Sequence, residues 1–152
     1  MRSGLALVFA FALGGCPSPY RHGDLPRAAQ LGCLELDANA RYGAIAPGVQ
    51  LDWRIGNACD DAIPIDLGAA RITAIAADGT RTALAPYDPR HEIHATWLPA
   101  GTDGAESILY VPGIETKEVE IALVGVAPEA REQPRSPMMR VVLGVPYHPE
   151  LP

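Results

Sequence analysis

The chain has 152 residues, of which 48% are hydrophobic and 20% charged, and a formal net charge of −6. That composition excludes disorder throughout and suits a single folded domain. The acidic balance argues against nucleic acid as a partner and against charge-driven adsorption on anionic lipid; solubility alone accounts for it.

The first element is a short apolar stretch. Arg2 precedes an apolar run at residues 5–13, followed by Leu13-Gly14-Gly15-Cys16 and then Pro17-Ser18-Pro19. The run is too short to span a bilayer, which takes about 20 apolar residues, and it fits the core of a signal peptide. A branched residue, two small residues and a cysteine resemble the lipobox of bacterial lipoproteins. The resemblance implies that Cys16 takes a diacylglycerol, that residues 1–15 are cleaved, and that the new amine is acylated, commonly with palmitate. Two or three acyl chains then hold the protein to the membrane, each buried methylene contributing about 0.8 kcal/mol. No aspartate follows Cys16, which in a Gram-negative envelope implies the outer rather than the inner membrane. The same residues also fit an ordinary secretory signal or a buried N-terminal strand.

Removing residues 1–15 takes away one arginine and no acid, leaving a formal charge of −7. Residues 16–31 contain Pro17, Pro19 and Pro26 and no hydrophobic period, so they are expected to be a solvated tether. A folded domain is expected over residues 32–146, with a loose tail at 147–152.

Within that domain, short apolar runs alternate with Gly, Pro and Asp. Val49, Leu51, Trp53 and Ile55 share one phase while Gln50, Asp52 and Arg54 take the other, the signature of a half-buried strand. Further strands are expected at 33–38, 63–67, 71–76, 80–84, 92–98, 106–111, 118–126 and 138–145. Pro64 marks its run as an edge or a bulge. Asp78-Gly79 reads as a two-residue hairpin turn, and 127–137 as a polar loop with room for one helical turn. The regular spacing of strands without an amphipathic helix predicts an antiparallel β-sandwich, with a small barrel as the second choice. At the level of strand pattern, the domain resembles the immunoglobulin-like domains of exported bacterial proteins. Trp53 lies only six residues before Cys59, unlike the wide Cys-Trp-Cys spacing of true immunoglobulin domains, so the resemblance transfers no functional residue.

Cys33 and Cys59 remain once Cys16 is committed to lipid, and an exported compartment allows them to pair. A hairpin centred on residue 46 brings the two together at its open end. A bridge crossing between two sheets is the alternative.

Residues that could carry chemistry are few. His91-Glu92-Ile93-His94 has two histidines and an acid, but its spacing is one residue short of the helical zinc motif. Asn57, Asp60 and Asp61, joined by Asp66 or Asp88, offer oxygens for calcium without the spaced pattern of a calcium loop, and the same residues form turns. Tyr87-Asp88-Pro89-Arg90 reads as a turn. Ser107 and Ser136 lie in no nucleophile elbow, and Gly101-Thr102-Asp103-Gly104 places an acid where a phosphate would be repelled. The expectation is a lipid-anchored, non-catalytic binding or structural module of the cell envelope. It has no cofactor or resident metal, and its partner is the membrane plus an envelope protein or glycan. The alternative is a small metal-binding protein or hydrolase using His91, His94 or His148 with nearby acids.

Overall fold

In the structure, a computed structural model, the described residues are 20, 21, 23, 25, 29–43, 48–87, 95–111, 115–131 and 138–143. The expected lipobox with Cys16, the His91 to His94 motif, Asp88, Ser136 and His148 lie outside them.

Alternation of apolar and polar residues builds the first sheet. Strand β1 (Ala29–Leu31) turns through Gly32 and Cys33 into β2 (Leu34–Tyr42), which pairs with β3 (Val49–Asn57). Leu36, Ala38 and Ala40 on β2 and Val49, Leu51, Trp53 and Ile55 on β3 point inward and are buried. The other phase carries Arg41, Gln50 and Asp52 outward, as expected for a sheet with one wet face.

The chain then crosses by β4 (Ile63–Asp66) and a 3-10 turn (Leu67–Ala69) to β5 (Arg71–Ile75) and β6 (Arg81–Pro86). It returns through β7 (Ala95–Leu98) and β8 (Thr102–Val111), and ends with β9 (Glu118–Ala122), the helical turn α1 (Pro128–Arg131) and β10 (Met138–Val142). All the pairings are antiparallel. The main sheet runs β1-β2-β3-β8-β6-β5-β9-β10, and β4 with β7 forms a separate two-stranded sheet.

Strand β6 is the corner. Its first residues pair with β5, and Ala85 and Pro86 pair with Val111 and Tyr110 of β8. The sheet folds there into two layers, and β10 comes back to within 8 Å of β2 between Cα atoms. The result is an antiparallel β-sandwich that nearly closes into a barrel. Trp53, Tyr110, Leu36, Leu51, Ile108 and Ile121 fill the space between the layers.

Several local features differ from the sequence expectation. The tether was expected to reach residue 31, yet Tyr20 and Leu25 are buried and β1 is part of the sheet. The Tyr20 N–H donates to the Gly101 carbonyl at 2.8 Å, and its hydroxyl donates to the buried Glu35 carboxylate. The Gly23 N–H donates to both Glu35 oxygens, at 2.8 and 3.1 Å. Gly56 leaves the space for the Tyr20 ring, which any β-carbon there would overlap. Glu35 thus draws the N-terminal segment onto the sheet, so folded structure begins before residue 32.

Past the ends of β5 and β6 the Ala76 N–H still donates to the Thr80 carbonyl at 2.9 Å. The turn proper therefore has three residues, Ala77, Asp78 and Gly79, rather than two, with the Gly79 N–H on the Ala76 carbonyl at 3.0 Å and Gly79 at φ +86°. A type I turn followed by a left-handed glycine is the usual three-residue solution. Strand β8 starts at Thr102, so the expected inter-strand stretch at 101–104 is mostly strand, and β9 stops at Ala122 rather than 126.

Candidate functional site

Cys33 and Cys59 form a disulfide with a Cα–Cα distance of 5.1 Å. It joins neighbours at the open end of the β2–β3 hairpin, within one sheet rather than across the sandwich. The register is offset by one residue from the expected pairing. Leu34 pairs with Asn57, and the Ala58 N–H donates to the Cys33 carbonyl at 3.0 Å, so Cys33 lies opposite Ala58. Cys59 reaches it because the chain bends after β3. The Asn57 side chain makes that bend: its Oδ1 accepts the Cys59 N–H at 2.9 Å, and its Nδ2 donates to the Asp61 and Leu98 carbonyls at 2.9 Å each.

Those bonds commit Asn57, the first member of the Asn57, Asp60 and Asp61 group, to backbone partners. Asn57 is fully buried and used by backbone groups, while Asp60, Asp61 and Asp66 are exposed. Among the described residues, no three His, Cys, Asp or Glu side chains gather as metal ligands.

Ser107 is exposed on the outer face of the first layer, across from Asp52. It donates to Asp52 Oδ1 and accepts from Gln50 Nε2 at 2.6 Å, while Arg41 Nε bonds Asp52 Oδ2 at 2.7 Å. The Arg41 guanidinium, then the Ser107 hydroxyl, hold the Asp52 carboxyl below its ordinary range against a partial desolvation that acts the other way. The network has the form of a cross-strand polar ladder. Its counterpart on the second layer of the main sheet is Arg81, Glu120 and Arg140, in which the Arg81 guanidinium at 2.5 Å depresses the Glu120 carboxyl.

The small sheet of β4 and β7 presents a different surface. Ile63 and Ile65 of β4 lie opposite Leu98 and Thr96 of β7; Ile65 and Leu98 are buried against the core, Ile63 is half-buried and Thr96 is exposed. The opposite phase therefore faces outward, with Pro64 across from Trp97 and Asp66 across from Ala95. Trp97 is 67% exposed. The Asp66 N–H donates to the Val126 carbonyl at 2.8 Å, away from β7, so Asp66 and, two residues before it, Pro64 occupy positions that owe β7 no bond. The missing donor of Pro64 costs nothing there. Such non-hydrogen-bonded pairs also bring side chains closer, and Pro64 is the residue directly across from Trp97.

The turn at 123–126 forms the facing wall. It closes with the Val126 N–H on the Leu123 carbonyl at 3.1 Å and needs its glycine, since Gly125 has φ +85°. Between this wall and the outward face lies a cleft of about 300 Å³. Trp97 is its one aromatic residue and Asp66 its one charged residue among the described residues, with small Ala95 between them.

Sequence reasoning did not single out Trp97. Ile93, Ala95 and Trp97 share a phase that reads as an inward apolar face. The pairing partner carried the missing signal: Ile63, Ile65 and Leu67 fix which face of β4 is inward, and register then turns Trp97 out.

Comparisons with protein-family models, with curated proteins and with solved structures give no match.

Proposed function

We propose that this chain is a lipid-anchored envelope protein whose β-sandwich is a non-catalytic binding module, with the β4–β7 cleft as its binding surface. The observation that carries the reading is Trp97, a large apolar side chain left two-thirds exposed on a two-stranded sheet that packs Ile65 and Leu98 into the core. A tryptophan removed from the core and paired across the ladder with a proline is a ready anchor for a partner, and tryptophan is among the residues most enriched at binding hot spots. The anchor follows from the Leu13-Gly14-Gly15-Cys16 box, and the outer membrane from the lack of an aspartate after Cys16. The hydrolase alternative gains no support from the described residues, where the only serine joined to a carboxylate shares it with an arginine in an exposed polar ladder.

Two measurements test this. Intact mass of the membrane-extracted protein should show loss of residues 1–15 and added acyl mass on Cys16, while Cys16→Ser leaves an unprocessed precursor; an unmodified Cys16 in a lipoprotein-processing host overturns the anchor. Trp97→Ala should leave thermal stability within about 0.5 kcal/mol, as for other surface substitutions, while abolishing retention of envelope components by the domain. Retention unchanged in that variant overturns the cleft.

A further inference from the structure

The chemistry of the cleft narrows its ligand. We infer that the β4–β7 cleft binds a neutral or N-acetylated pyranose of an envelope glycan, with one sugar face on Trp97 and its hydroxyls on Asp66; the inference rests on the reading of this cleft as a binding surface.

An exposed indole presents a negative π face, and the axial C–H bonds of a pyranose carry slight positive charge, so the two stack. Asp66 and Trp97 lie on the same outward face, one pair apart along the ladder: Trp97 sits across from Pro64, and Asp66 across from Ala95. Ring and carboxylate are thus diagonal neighbours, a separation that side chains can bridge with a single small ligand. An ionised carboxylate only accepts hydrogen bonds, and adjacent sugar hydroxyls are paired donors. Ala95 between them keeps the floor open. At about 300 Å³ the cleft stands at the small end of ligand sites, the size for one ring with its neighbours projecting outward.

Other ligand classes fit less well. A quaternary ammonium group is held by a cage of several aromatic rings, and a proline-rich peptide by an aromatic-lined groove; this cleft has one ring. Acidic sugars and phosphate headgroups would meet Asp66 and the net negative charge of the chain. The same carboxylate opposes use of Trp97 as a lipid-inserting wedge.

Two tryptophans make the test direct, since the indole N–H of each gives one NMR signal and Trp53 is buried as an internal reference. The full chain in neutral micelles is titrated with β-1,4-linked tetrasaccharides of glucose, of N-acetylglucosamine and of glucuronate. Saturable movement of the Trp97 signal with a neutral sugar, an unmoved Trp53, no response to the uronate, and at least tenfold weaker binding in Asp66→Asn are expected. A Trp97 signal unmoved by every sugar but shifted by a solubilised envelope protein fraction overturns the glycan while the binding-module reading stands. Broadening by nitroxide-labelled lipid alone identifies a membrane contact and also overturns the glycan. A signal that responds to none of these overturns both.

Discussion

The side chain of Asn57 donates to the carbonyl of Leu98, 41 residues further along the chain, at 2.9 Å. One buried carboxamide therefore fixes the end of β3, the bend that brings Cys59 to Cys33, and the end of the strand that carries Trp97. Asn57→Ala should cost about 1–3 kcal/mol, because the carbonyls and the Cys59 N–H it satisfies are left unpaired in a buried site. Chemical denaturation measures the loss. The Trp97 indole signal should shift in the same variant without added ligand.

Trp53 is 1% exposed and central to the core. Trp53→Ala is expected to cost about 3–5 kcal/mol, the range for removal of a buried aromatic side chain. In Trp97→Phe, the remaining fluorescence should be that of a shielded indole; emission typical of a fully solvated indole would contradict the packing.

The Cys33–Cys59 bridge spans a sequence separation of 26. Closing a loop of that size should contribute roughly 3–4 kcal/mol in the chain-entropy picture. Denaturation midpoints with and without reductant read the difference. Non-reducing peptide mapping should recover residues 33 and 59 in one linked fragment.

Asp52 and Glu120 are both held below the ordinary carboxylate range, by Arg41 and Arg81 respectively. A depressed folded-state pKa gives stability that is present above the unfolded value, about 4, and is lost as pH falls through the folded value. Asp52→Asn should therefore destabilise the protein at pH 7 and converge with the unsubstituted chain below about pH 4. The pair is solvent-exposed, which limits the effect to about 1 kcal/mol or less. Stability curves at pH 7 and pH 3 for both chains check the sign.

Strands with clean alternation were legible without a structure. Val49 to Ile55 carries its burial pattern in its residue types, and β5, β6 and β9 are short versions of the same. The first half of β8 was not legible, because its inward positions are Thr102, Gly104 and Glu106, and polar or small residues give no period. Strand β1 was hidden by the proline and charge just before it, and the burial of Tyr20 depends on Glu35 and Gly56, which are distant from it in sequence. The cleft was invisible for a related reason. Trp97 faces outward only because β4 is its partner, and pairing partners of separate strands are a property of topology rather than of local pattern.

The Tyr20 clamp sets a leash length. Three residues separate Tyr20 from Cys16, and four peptide steps reach at most about 14 Å when fully extended. On the proposed anchor, the disulfide end of the sandwich would ride at the headgroup layer, with Gly101 bonded to Tyr20 and Trp97 only four residues from Gly101. Such a domain does not sweep the space above the membrane in search of a partner. It samples only what lies against the bilayer, and its effective concentration for a surface-bound glycan is set by the plane of the membrane.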